Sequence, residues 1–176
     1  MYRDIDLYKT LHIQNSSYGS TANQYTKYIA DFIKYTEVKS VLDFGCGKGS
    51  LKKDLKQKYN LEIDEYDPAI ESKNIIPKTQ YELIITTDVL EHLYEDEINM
   101  FFKDILTLNP YYMFHAICTR KADNNLPDGT NAHKTIKPRA RWIQKISSII
   151  DHEISFIEPQ IKQTDTFVLY CYKKNV

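Results

Sequence analysis

The sequence predicts a doubly wound α/β fold: a mostly parallel sheet, helices on both faces, and an antiparallel hairpin at the C-terminal end. Three observations carry this. Short β-rich apolar runs alternate with helical stretches along most of the chain. The first such run ends in closely spaced glycines. The last two strand-like runs follow one another with no helical pattern between them.

The elements read in order. Thr21 to Tyr35 carries Ala22, Tyr25, Tyr28, Ile29, Phe32 and Ile33 as a helical stripe. Lys39 to Phe44 is a short strand, and Ser50 to Tyr59 a helix with Leu51 and Leu55 on its apolar face. Asn60 to Tyr66 and Tyr81 to Thr86 are strands, the second a buried run centred on Leu83-Ile84-Ile85. Glu95 to Leu108 is an amphipathic helix stopped by Asn109-Pro110, and Tyr111 to Ile117 is a strand. A polar loop covers 119–137, with a turn at Pro127-Asp128-Gly129. Pro138 opens a helix through Ile150 whose apolar spacing puts Trp142 in the core. Ile154 to Ile157 and Thr166 to Tyr172 form the hairpin. Only 14 positions separate Asp67 from Tyr81, too few for a crossover helix and a further strand. Ile75-Ile76 is therefore a vestigial third strand, or that unit is missing.

Length fits one domain over residues 1–176, in which 1–37 precedes the first strand. Lysine and arginine (23) nearly balance aspartate and glutamate (24), so no global field holds nucleic acid or a membrane surface. Cys46, Cys118 and Cys171 are widely spaced and form no CxxC, which indicates neither a disulfide framework nor a metal site. The N-terminus is polar with Asp4 and Asp6, unlike a signal peptide, and no apolar run is long enough to span a bilayer. A cytoplasmic protein with reduced thiols is expected.

The strongest motif is Val41-Leu42-Asp43-Phe44-Gly45-Cys46-Gly47-Lys48-Gly49. A dinucleotide G-x-G-x-x-G would need glycine at position 50, where the chain has Ser50. Alternate glycines behind an acid instead resemble motif I of the class I S-adenosylmethionine (SAM)-dependent methyltransferases. The resemblance continues at Ile63 to Ala69, where Asp67 matches the acid that accepts both ribose hydroxyls, with Glu65 as the fallback. It continues again at Thr86-Thr87-Asp88-Val89-Leu90-Glu91-His92-Leu93, similar to a V-L-E-H segment of small-molecule members. Together these cover roughly residues 38–93. Each has a plain structural reading as a turn, a helix cap or a surface histidine. Their order at successive strand ends favours the cofactor reading.

The resemblance implies SAM as cofactor. It would be held by Asp43, Gly45, Cys46, Gly47 and Gly49, with Asp67 at the sugar and Thr87-Asp88 at the methionine end. The 1–37 segment would cover it, bringing Tyr18 and Tyr25 to the methionine moiety. No adenine-contacting acid is identified, which leaves Lys73 to Gln80 to border the ring.

Methyl transfer to a hydroxyl needs alignment and a nearby base, a role that suits histidine. His133, in the loop after the Tyr111 strand, is the first candidate, and His115, inside that strand, the second. His92, Arg120, Asp128 and Asn131 are candidate acceptor contacts. Arg120 is one of a basic group with Lys121, Lys134, Lys137, Arg139 and Arg141 that could grip an anionic acceptor or simply be solvated. Asn109-Pro110-Tyr111-Tyr112 evokes an adenine-N6 methyltransferase motif, but it ends a helix instead of a strand, so a nucleic-acid acceptor is disfavoured. The expected function is O-methylation of a small molecule or glycan. Two alternatives stay open: a methyltransferase for protein or nucleic acid that needs a partner, and a SAM-binding regulatory protein without catalysis.

Overall fold

A computed structural model describes residues 2–162 and 165–174. Its six strands form one sheet in the order β2-β1-β3-β4-β6-β5. They are β1 (Val41–Phe44), β2 (Asp64–Tyr66), β3 (Leu83–Thr87), β4 (Tyr112–Cys118), β5 (His152–Ile157) and β6 (Thr166–Lys173). The four strands from β2 to β4 run parallel, while β6 pairs antiparallel with both β4 and β5. The helices are α1 (Ile5–Gln14), α2 (Thr26–Thr36), α3 (Ser50–Tyr59), α4 (Glu95–Leu106) and α5 (Arg139–Ser147).

The two-residue period of the strands sorts their side chains to two faces. Leu42, Ile84, Met113 and Leu169 meet Phe101 and Phe102 of α4 and Trp142 and Ile146 of α5. Val41, Leu83, Ile85, Phe114 and Val168 meet Ile29, Phe32 and Ile33 of α2 and Leu51 and Leu55 of α3. Both faces of β1 and β3 are thus covered, which is why those strands read as unbroken apolar runs. The chain leaves β1 toward β2 on one side, and β3 lies on the other. The strand ends there diverge and open a crevice.

Four departures from the sequence reading matter. Helix α1 was not expected, since only Leu11 along it is buried. The Thr21–Tyr35 stripe starts as a 3-10 turn, Ala22–Tyr25, before α2. No strand lies between β2 and β3; that stretch holds only the 3-10 turn Glu71–Lys73, and Ile75 is exposed. Of the two readings of the short connection, the absent unit is the one observed. Finally, the 119–137 loop is not simply solvated. Leu126 and Ala132 are buried against Leu11, and Asn125 bridges Asn131. Among the described residues, no helix is long and apolar enough to cross a membrane.

Phe102 of α4 is fully buried against the sheet. Phe102→Ala should lower unfolding stability by about 3–5 kcal/mol, measured by urea denaturation. A loss under 1 kcal/mol would contradict this packing.

Candidate active site

A cavity of about 750 Å³ opens at the carboxyl ends of β1 and β3. Its floor is the glycine loop. Gly45 N–H and Cys46 N–H both donate to the Tyr66 carbonyl (2.7 and 3.1 Å), which ties the loop to the end of β2. Gly47 has φ +51°, and a Cβ there would lie 2.3 Å from the Gly19 carbonyl oxygen. Lys48 N–H donates to that same oxygen at 2.7 Å, and Lys48 Nζ donates to the His12 carbonyl at 2.8 Å. The N-terminal segment is therefore stitched onto the glycine loop.

Asp67 borders the cavity with both oxygens turned to the loop and its own turn. Oδ2 accepts from Gly47 N–H (2.9 Å) and Oδ1 from Ala69 N–H (2.8 Å). Among the described residues no lysine or arginine pairs with it. A carboxylate oxygen has a second lone-pair site, so both can still accept from hydroxyls. Glu65 is spent otherwise, on Lys73 (3.1 Å) and Lys52 (3.7 Å), and does not line the cavity. Lys73 Nζ also donates to the Gly47 carbonyl at 3.1 Å. The short connection after β2 thus braces the loop, and the cavity is bounded there by Pro68 and Ala69, not by Lys73 to Gln80.

Asp43 lies beneath the loop, fully buried, and neither oxygen has a hydrogen-bond partner. Burial, reinforced by the charges of Glu65 and Asp67, pushes its carboxyl up to about 8. Cys46 lines the cavity, and burial holds its thiol well above the ordinary range, so it is not a nucleophile. Gly49 stands behind the loop at the start of α3, facing Glu65 and Lys73.

At the end of β3, Thr87 and Asp88 line the cavity. Thr87 Oγ1 is buried without a partner. Asp88 takes a left-handed φ of +54° and accepts hydroxyl hydrogen bonds from Tyr25 (3.1 Å) and Thr21 (3.2 Å). Tyr25 itself is fully buried and supports Asp88 from behind. Next comes Glu91, whose buried Oε1 accepts from Cys118 N–H at 2.7 Å. Its carboxyl is pushed up to about 8 by burial, with Asp88 raising it further and His133 opposing.

The far end of the cavity is a run of rings. Tyr18 packs edge-on to His12 (4.9 Å) and His92 (6.3 Å), and His92 packs edge-on to Tyr8 (5.4 Å) and His133 (4.7 Å). His133 Nδ1 lies 2.6 Å from the Arg120 carbonyl, and His92 Nδ1 lies 2.9 Å from that of Ala132. A carbonyl only accepts, so each Nδ1 carries a proton, and in a neutral ring Nε2 is then the acceptor. Burial first, then the neighbouring His133, pushes His92 down to about 3, so it stays neutral.

The cavity brings together Tyr18, Gly45, Cys46, Gly47, Asp67, Thr87, Asp88, His92, Arg120 and His133. Six expected contacts stand outside it: Asp43, Gly49 and Tyr25, which back its walls, and His115, Asp128 and Asn131. His115 is sealed within β4, sharing a 2.8 Å hydrogen bond between its Nδ1 and Thr86 Oγ1, and burial pushes it down to about 3. Asp128 is exposed and accepts from the N–H and hydroxyl of Thr130 in its own turn. Asn131 is consumed bracing the loop, accepting from Ala122 and His133 N–H and donating to the Ala122 carbonyl. Arg120 reaches the cavity, but Asp123 engages its guanidinium with two hydrogen bonds (2.8 and 3.0 Å). Sequence reasoning missed Tyr8 and His12 of α1. Their four-residue spacing, which puts two rings on one helix face, was the available signal.

No family model matches the sequence, and no curated protein matches it. Solved structures do match. The methyltransferase domain of bacterial CtHen1-CN superposes with a TM-score of 0.63 at 17% identity, over 85% of this chain and 98% of that one. The plantazolicin methyltransferase BpumL, in complex with SAH, gives 0.64 at 11% identity, over 97% and 95%. Magnesium protoporphyrin IX methyltransferase ChlM from Synechocystis, with bound SAH, gives 0.63 at 14% identity, over 86% and 83%. The chain has a class I methyltransferase-like fold. At these identities the likeness is one of fold alone.

The Asp43 carboxyl keeps its proton in the folded protein to about pH 8, whereas an unfolded aspartate ionises near about 4. Its contribution to stability is full below the unfolded value, declines as pH rises, and is gone above the folded one. Asp43→Asn should therefore flatten part of the fall in stability between pH 5 and 8. Urea unfolding across that range checks this, and an unchanged slope would count against a protonated Asp43.

Proposed function

We propose that this chain binds SAM on the glycine loop and transfers its methyl group to a hydroxyl oxygen of a small molecule or glycan. One observation carries the reading: the glycine loop, Asp67 and Thr87-Asp88 converge with His133 on a single cavity. The neighbours solved with SAH, the demethylated form of SAM, support the choice of cofactor. Three local features suit a sulfonium nucleoside. The loop is too close-packed at Gly47 for any side chain, and among the described residues Asp67 has no cation paired to it and the buried Thr87 Oγ1 has no partner.

In this reading Asp67 accepts from the ribose hydroxyls, and Gly45, Cys46 and Gly47 present main chain to the amino-acid end. Thr87 and Asp88 border that end, and Tyr18 helps cover it. Asp43 supports the loop from below. Bound SAM supplies an electrophilic methyl on a positively charged sulfur. His133 takes the acceptor's hydroxyl proton at Nε2, its tautomer fixed by the Arg120 carbonyl. A protein or nucleic-acid acceptor has less support. Of the basic group near the loop, Arg120, Lys134, Lys137 and Arg139 are already ion-paired. The three cysteines are free and buried, which suits a reducing cytoplasm.

Calorimetry with SAH is the direct test. Hydrogen bonds to a charged acceptor are worth about 1.5–3 kcal/mol each, so Asp67→Ala should weaken binding by about tenfold or more, and Gly47→Val likewise. Unchanged affinity in both variants would remove the site assignment. His133→Ala should keep SAH affinity and lower kcat by about 10²–10⁴; full activity would eliminate it as the base. If the wild type binds SAH yet labels nothing in an extract given methyl-radioactive SAM, the non-catalytic reading replaces this one.

A further inference from the structure

We infer that the acceptor half of this cavity takes an uncharged planar aromatic alcohol, a phenol-class hydroxyl, and not a phosphate, carboxylate, ammonium or sugar compound. The inference rests on the methyl-transfer reading above and narrows its acceptor.

The walls come first. Tyr8, His12, Tyr18, His92 and His133 reach the cavity from α1, the segment behind it, the turn after β3 and the loop after β4. All are half-buried, and their contacts to one another are edge-to-face at 4.7–6.3 Å. Aromatic rings prefer such perpendicular or offset contacts, so the assembly suits one more flat ring.

The charges come second. Three of the ionic side chains bordering this half are already answered. Asp123 and the Lys121 carbonyl hold Arg120. Lys134 Nζ and Tyr94 Oη hold Asp4, each at 3.1 Å. The N–H groups of Arg3 and Tyr94 hold Glu97. The other cation bordering the cavity, Lys162, belongs to the β5–β6 connection, which Gln160 N–H anchors to Tyr28 Oη on the α2 flank. Burial lowers His12 and His92 alike, so neither supplies positive charge. Apart from Lys162, a charged acceptor would therefore have to compete with a partner already in place.

The hydrogen-bonding capacity comes third. Tyr8 Oη donates to the Ala132 carbonyl at 2.7 Å, and both imidazole Nδ1 atoms are turned to carbonyls. Nε2 of His133 and of His92 and the Tyr18 hydroxyl take part in no hydrogen bond among the described residues, and a single phenolic hydroxyl suits them. A phenolic hydroxyl, with a pKa of about 10, also gives up its proton to a neutral imidazole more readily than an aliphatic alcohol does.

The test uses the wild-type chain saturated with SAH at pH 7, with binding read by ligand-observed saturation-transfer NMR. The probes share a ring where they can: 2-naphthol, 2-naphthoate and 2-naphthylmethylammonium, with methyl glucoside as the sugar. The expected result is a Kd for 2-naphthol at least tenfold below the other three. His133→Ala should weaken 2-naphthol at least fivefold with SAH affinity retained. Tighter binding of the naphthoate, lost in Arg120→Ala, would overturn the inference in favour of an anionic acceptor. Tighter binding of the ammonium or the glucoside would overturn it in favour of those classes. SAH binding without selectivity among the probes removes this inference alone, whereas failure to bind SAH removes the methyl-transfer reading with it.

Discussion

The site depends on two backbones touching. Gly47 and Gly19 approach so closely that a Cβ on Gly47 would sit 2.3 Å from the Gly19 oxygen and 2.9 Å from its Cα. Both glycines have positive φ, a conformation side-chain-bearing residues rarely hold. Around this contact three hydrogen bonds converge. Gly47 N–H donates to Asp67, Lys73 donates to the Gly47 carbonyl, and Lys48 N–H donates to the Gly19 carbonyl. The end of β2, the short connection after it and the N-terminal segment are all fastened to Gly47 and its neighbour Lys48. That fastening sets where α1 lies, and α1 provides one wall of the cavity.

The same contact explains how the fold works without a strand beyond β2. In a sheet with another crossover there, a further helix and strand would back the loop at that edge. Here β2 is the edge strand, and the stretch from Asp67 to Glu82 is too short for more. Lys73 takes over part of the work, bridging Glu65 on β2 and the Gly47 carbonyl. Tyr2 adds cover from the N-terminal side. It packs against the core cluster that includes Phe44 and Phe101 and hydrogen-bonds Asp104 of α4. The charged bridge and the aromatic cover are local substitutes for a missing supersecondary unit.

The sheet and its flanking helices were legible in the sequence because both signals are local. Leu83-Ile84-Ile85 reads as a buried strand from composition alone, and Ile29, Phe32 and Ile33 mark a helix face by spacing alone. The glycine loop was legible because alternate glycines have few other uses. Helix α1 was not, because its contacts are made by polar tips and not by an apolar stripe. Tyr8 Oη reaches Ala132, the His12 carbonyl accepts from Lys48, and Asn15 reaches Asn124. Such contacts leave no periodic trace. His115 and Asn131 misled for the opposite reason. Their residue types suggest chemistry, but one is enclosed by β4 packing and the other is saturated by loop amides. Which histidine faces a cavity is a question of tertiary placement, and no spacing rule answers it.

That placement also links donor and acceptor ends. Helix α1 touches the glycine loop through the His12 carbonyl and Lys48, and the 119–137 loop through Tyr8 and Leu11. It touches both halves of the cavity while burying little of itself, which leaves it among the less firmly held parts of the structure. Anything that shifts Gly19 relative to Gly47 must move His12 and Tyr18, and with them two of the five rings at the acceptor end. A donor seated on the loop would therefore bear on the acceptor walls as well, through the main-chain contact between Gly47 and Gly19.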